Sequence, residues 1–73
     1  MKNIYLGNNI KYLRIKKKIT QQQIAEYLGK TDGAVSFWES GSREPNLEDL
    51  IKLSKIFEVS IDDLILKNFR GGK

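Results

Sequence analysis

The chain has 73 residues, room for one domain, with 13 Lys and Arg against 9 Asp and Glu for a formal charge of +4, and neither Cys nor His occurs in it. Those two absences exclude disulfides, zinc sites of the usual Cys/His type and any Cys or His nucleophile or general base, so we expect no enzyme, no metal and no cofactor. No apolar run approaches the ~20 residues of a membrane span and no signal-peptide apolar region opens the chain, so the sequence reads as soluble and cytoplasmic, with no membrane partner.

Met1 to Ile4 read as a frayed or surface-lying start. Leu6, Ile10 and Leu13 then recur at four and three residues, one face of a first helix running to about Lys18. Asn8, Asn9, Lys11 and the Lys16 to Lys18 run fall largely outside that face, and Ile19 can pack where the chain turns. Thr20 with Gln23 makes a Thr-x-x-Gln capping box that opens a second helix, whose inward stripe is Ile24, Ala25 and Leu28. Gly29 supplies a residue tolerant of positive φ, and Thr31 caps a third helix almost at once. Helices joined by so short a turn cross at close range, which suits the small side chain of Ala25. In the third helix Val35 and Trp38 share the inward face, leaving Asp32, Gly33, Ser36 and Phe37 outward, and Gly41 ends it.

A polar loop with the sole Pro, Ser42 to Asn46, changes the chain direction. Asn46 caps a fourth helix, Asp49 favours the positive end of its dipole, and Leu47, Leu50, Ile51, Ser54 and Phe57 follow as its stripe. Ser60 with Asp63 repeats the capping arrangement, Val59 and Leu64 stand at the positions of a hydrophobic staple, and a short fifth helix covers about Ile61 to Leu66. Residues 67–73 are a tail after a domain of residues 1–66. With no alternating strand pattern, the expected fold is all-α: a compact five-helix domain with a helix-turn-helix.

Charge is laid down unevenly along this plan. Up to Lys30 seven basic residues face Glu26 alone, a balance of +6, whereas from Thr31 onward six basic residues meet eight acidic ones, a balance of −2. One end is thus cationic, as expected of a face that meets phosphate, although a Lys run such as Lys16 to Lys18 is also an ordinary way to solvate a helix end.

Leu6 to Leu64 resembles the helix-turn-helix domain of the lambdoid phage repressor and Cro family, also called the XRE family. The resemblance rests on Ile10, Leu13 and Arg14; on Thr20, Gln21, Ile24, Ala25, Leu28 and Gly29; on Val35, Trp38, Glu39 and Gly41; and on Pro45, Leu47, Leu50 and Phe57. It implies a lambda repressor-like fold that inserts the third helix into the major groove of double-stranded DNA, usually as a homodimer on a two-fold operator, and regulates transcription. Base reading then falls to Thr31, Asp32, Gly33, Ser36 and Phe37: Ser36 can donate or accept at a base edge and Phe37 can meet a thymine methyl. Asp32 departs from the long polar side chain usual there; it can accept from cytosine N4 or simply stabilise the start of its own helix. Phosphate contacts are expected from Gln21, Lys16, Lys17, Lys30, Ser40, Ser42 and Arg43, and the family's Arg-Glu pair falls on Arg14 and Glu39. Trp38 offers a ring to stack on a base, but its spacing from Val35 and the family pattern both assign it to the core.

Two further expectations concern partners. Ile61, Leu64, Ile65 and Leu66 are too many apolar residues for one inward face of a six-residue helix; with Phe69 they suit a dimer patch, which a core this small would welcome. Besides a DNA-binding regulator, most simply a repressor, the same pattern fits an antitoxin with a protein partner, or the N-terminal domain of a longer repressor for which Gly71-Gly72 would suit a linker.

Overall fold

Capping side chains decide where four of the helices begin. In the computed structural model, which describes residues 5–70, the helices are α1 (Leu6–Lys16), α2 (Gln21–Leu28), α3 (Asp32–Ser40), α4 (Leu47–Phe57) and α5 (Ile61–Leu66), with no strand among the described residues. Thr20, Thr31, Asn46 and Ser60 each accept a bond from the backbone N–H three residues on, at 3.0, 3.2, 2.8 and 2.9 Å. Each bond satisfies an amide the helix itself cannot pair, a contribution of about 1 kcal/mol per cap. Gln23 completes the capping box by accepting from the Thr20 N–H at 2.8 Å. α2 and α3 stop at Gly29 and Gly41, both at positive φ (+72° and +84°). α4 stops at Glu58, also left-handed at φ +59°, an end no glycine announced. The readings of Met1 to Ile4 and of Gly71 to Lys73 lie outside the described residues.

The core gathers Leu6, Ile10 and Leu13 of α1, Ile24, Ala25 and Leu28 of α2, Val35 and Trp38 of α3, Leu53 and Phe57 of α4, and Leu64 of α5. α3 packs against α1 and α2, and α5 closes the other side against α1 and α4. Trp38 is therefore a core residue, 5% exposed. No helix among the described residues is long and apolar enough to cross a membrane.

Three expectations need correction. The inward stripe of α4 is Leu50, Leu53 and Phe57, at i, i+3 and i+7, with Leu53 fully buried; Leu47 (71% exposed) and Ile51 (41%) lie a quarter-turn or more round the helix, on the outside. Leu64 is fully buried in its own domain's core and has no surface to offer a dimer; Ile61, Ile65 and Phe69 are half-buried, and only Leu66 of that set is well exposed. Asn9, set aside as polar and off the α1 stripe, is also fully buried.

Asn9 is buried because the end of α5 needs a donor. The last carbonyls of a helix have no intrahelical partner, and the Asn9 side-chain amide donates to Leu64 O at 2.8 Å and to Lys67 O at 2.6 Å. Its oxygen accepts from Phe69 N–H at 3.3 Å, so the carboxamide is used at both ends. Packing thus continues to Phe69, past the boundary expected at Leu66.

Candidate DNA interface

A helix must be held rigidly before it can present a surface, and α3 is held from three sides. Arg14 of α1 donates through Nε to Glu39 Oε2 at 2.6 Å and through Nη2 to Glu39 Oε1 at 3.3 Å. Its remaining arm, Nη1, donates to Ile19 O at 3.0 Å in the turn before α2. Gln21, the first residue of α2, adds a bond from its amide nitrogen to Glu39 Oε1 at 2.9 Å. One carboxylate therefore ties α1, the α1–α2 turn and the start of α2 to the C-terminal half of α3. The charges are largely out of solvent, with the side chains of Arg14 and Glu39 14% and 5% exposed.

Backbone contact supplies the second hold. A Cβ built on Gly7 of α1 would stand 2.7 Å from Trp38 O and 2.9 Å from Glu39 O, so the absent side chain is what lets α1 touch the end of α3. Ala25, the small residue on α2, is buried at 2% exposure. Lys30, in the α2–α3 turn, pairs with the buried carboxylate of Asp49 in α4 at 3.5 Å, tying the start of α3 to the rest of the core.

What α3 leaves outside is a continuous strip: Thr31, Asp32, Gly33, Ser36, Phe37 and Ser40 are all exposed. The Thr31 hydroxyl oxygen is occupied as the helix cap, accepting from Ala34 N–H, and keeps its proton free to donate. Ser36 and Phe37 stand in mid-helix, Phe37 at 46% exposure, with Arg43 of the following loop placed over its ring, 5.2 Å from guanidinium carbon to ring centroid. Beside the strip, Lys11, Gln21, Ser36, Glu39 and Ser40 line a shallow open groove between α1 and α3.

The residues expected to meet phosphate are placed unequally. Gln21 is at the N-terminus of α2, but its amide nitrogen already serves Glu39, leaving one N–H and the carbonyl oxygen for another partner. Ser40 and Ser42 hydroxyls lie 3.0 Å apart, and Ser40 also donates to Phe37 O at 3.1 Å. Lys30 is shared with Asp49, and Lys16 lies over the Tyr12 ring at 5.7 Å. Among the described residues Lys11, Lys17, Lys18 and Arg43 make no ion pair. Lys11 is a residue that sequence reading missed for this face, though its position three before Arg14 on the same helix was the available signal. Gly7 and Asn9 were missed as well; neither residue type nor spacing marks a helical Gly as a close approach or a helical Asn as buried.

A family model described as helix-turn-helix (HTH_3) matches residues 10–64. The chain is similar to YqaE of Bacillus subtilis (strain 168), named as an uncharacterized HTH-type transcriptional regulator, at 47% identity over 59 residues, 81% of this chain and 51% of the relative. To BcrR of Enterococcus faecalis, an HTH-type transcriptional activator, it is 46% identical over 59 residues, 81% of this chain and 29% of that one. The chain thus spans about half, or less, of the length of these relatives. Among solved structures it resembles the P22 c2 repressor protein in complex with a synthetic operator, with TM-score 0.78 and 40% identity over 86% of this chain and 94% of that one.

Proposed function

The chain belongs to the helix-turn-helix family of repressors and regulators, and from that premise we propose that it is a sequence-specific, DNA-binding transcriptional regulator that represses by occupying a two-fold operator. The observation that carries this reading is the exposed strip of α3, fixed to α1 and α2 through Glu39 and flanked by a cationic N-terminal half. Ser36 and Phe37 meet base edges in the major groove, with Asp32 and Gly33 beside them and Thr31 donating from the cap. Gln21, Lys17, Ser42 and Arg43 meet phosphate, together with the free donors of Lys16 and Lys30, and Lys11 joins them from its groove, whereas the single Ser40 hydroxyl proton is already given to Phe37 O. α3 carries no Arg, Lys, Gln or Asn, so the long bidentate readers of guanine and adenine are missing. Phosphate contact therefore provides most of the affinity, with side-chain reading and DNA shape dividing the specificity.

The chain acts as a homodimer in this reading. The support is a small core together with apolar surface around α5: Leu66 is exposed, and Ile61, Ile65 and Phe69 are half-buried, the last two packed against the core. A two-fold pair with recognition helices about 34 Å apart reaches successive major grooves. Selection of bound duplexes from a random pool tests the reading: a two-fold sequence with half-sites one helical turn apart is expected, and a pool that gains no sequence preference would refute it.

A further inference from the structure

The loop after α3 is fastened to the end of that helix, above all at Phe37. The Phe37 carbonyl oxygen accepts from Ser42 N–H at 3.0 Å, from Arg43 N–H at 3.3 Å and from the Ser40 hydroxyl at 3.1 Å. Gly41, at φ +84°, turns the chain back so that these bonds can form. The same turn lays the Arg43 guanidinium over the Phe37 ring, 5.2 Å from its centroid, while both side chains remain exposed on the outward side of the helix. Arg43 is thus attached to Phe37 twice, through its backbone N–H and through the ring.

Resting on the reading of α3 as the base-reading helix, we propose that Arg43 is a positioning residue for specificity: stacked on Phe37, it holds that ring in the orientation that meets the base edge. A half-exposed Phe without such a cover samples several rotamers, and any that turns the ring away from the groove forfeits the apolar contact on which discrimination depends. The loop residue therefore sets selectivity without touching a base. A cation over an aromatic face at an exposed site is worth ~0.5–1 kcal/mol, which at 1.4 kcal/mol per tenfold is about 2- to 5-fold in discrimination.

The test is a double-mutant cycle on the full chain. Wild type, Arg43→Ala, Phe37→Leu and the double variant are each titrated with the duplex that wild type selects and with a random duplex of the same length, well below their melting temperatures. Arg43→Ala is expected to weaken random DNA through lost charge and, beyond that, to lower the ratio of selected to random affinity about 2- to 5-fold. In the Phe37→Leu background the same change leaves the ratio unaltered, because no ring remains to be oriented. Proton resonances of the Phe37 ring in the free protein should also shift when Arg43 is removed. Arg43→Ala that leaves the ratio unchanged, or lowers it equally in both backgrounds, overturns the positioning role. Wild type that binds both duplexes equally overturns the base-reading assignment itself, and is recognisable as that separate failure.

Discussion

Arg14 of α1 and Glu39 of α3 meet at two points, 2.6 Å and 3.3 Å, and the carboxylate they share also accepts from Gln21 of α2. Removing either member strands the other charge in a place where water reaches it poorly. Arg14→Ala or Glu39→Ala should therefore cost roughly 3 kcal/mol in urea denaturation, far above the 0.2–1 kcal/mol of an exposed pair. A loss below about 0.5 kcal/mol in both variants would show that the network does not anchor α3.

Gly7 sets two effects against each other. Alanine is the better helix former by about 0.5–1 kcal/mol, yet its Cβ would fall within 3 Å of two backbone carbonyl oxygens of α3, which cannot rotate away as a side chain could. The clash should win, so that Gly7→Ala lowers the melting temperature and weakens DNA binding by displacing the end of α3. A Gly7→Ala protein more stable than wild type would show that α1 and α3 can separate at no cost.

Asn9 is the polar group whose loss the core should feel most. Asn9→Ala leaves Leu64 O, Lys67 O and Phe69 N–H without their partner, and unpaired buried groups cost about 1–3 kcal/mol. The destabilisation should come with faster amide exchange at Phe69. Unchanged exchange there would mean that the segment after α5 does not depend on this carboxamide.

The proposed dimer has a correspondingly local test. Leu66 is the well-exposed apolar residue of α5, at 60% exposure, so Leu66→Glu should shift sedimentation toward monomer while the helical circular-dichroism spectrum is kept. Unchanged self-association would move the interface elsewhere, with exposed Leu47 and Ile51 of α4 the next face to examine.

Much of this architecture was legible in the chain because local signals agree with the final packing. Thr20, Thr31, Asn46 and Ser60 mark helix starts by chemistry that acts within one turn, and Gly29 and Gly41 mark stops through their own φ. The outward strip of α3 followed from the spacing of Val35 and Trp38. What could not be read depends on partners distant in sequence. Asn9 is buried because of Leu64 and Lys67, 55 and 58 residues away, and Lys30 is committed to Asp49 by the fold of α4. The inward face of α4 is not fixed by spacing, because Leu47, Leu50, Ile51 and Leu53 offer two overlapping apolar faces and the core shared with the other helices decides which turns inward.

The division between base reading on α3 and phosphate contact around it is tested most directly by repeating the selection from a random pool with two variants. Ser36→Ala should select a sequence altered at particular positions of each half-site. Lys17→Ala should select the wild-type sequence, bind it more weakly, and flatten the log–log salt slope by about one unit, since each neutralised phosphate contributes about −0.9. The opposite pattern, a changed sequence from Lys17→Ala and an unchanged one from Ser36→Ala, would contradict the assignment of base reading to the exposed face of α3.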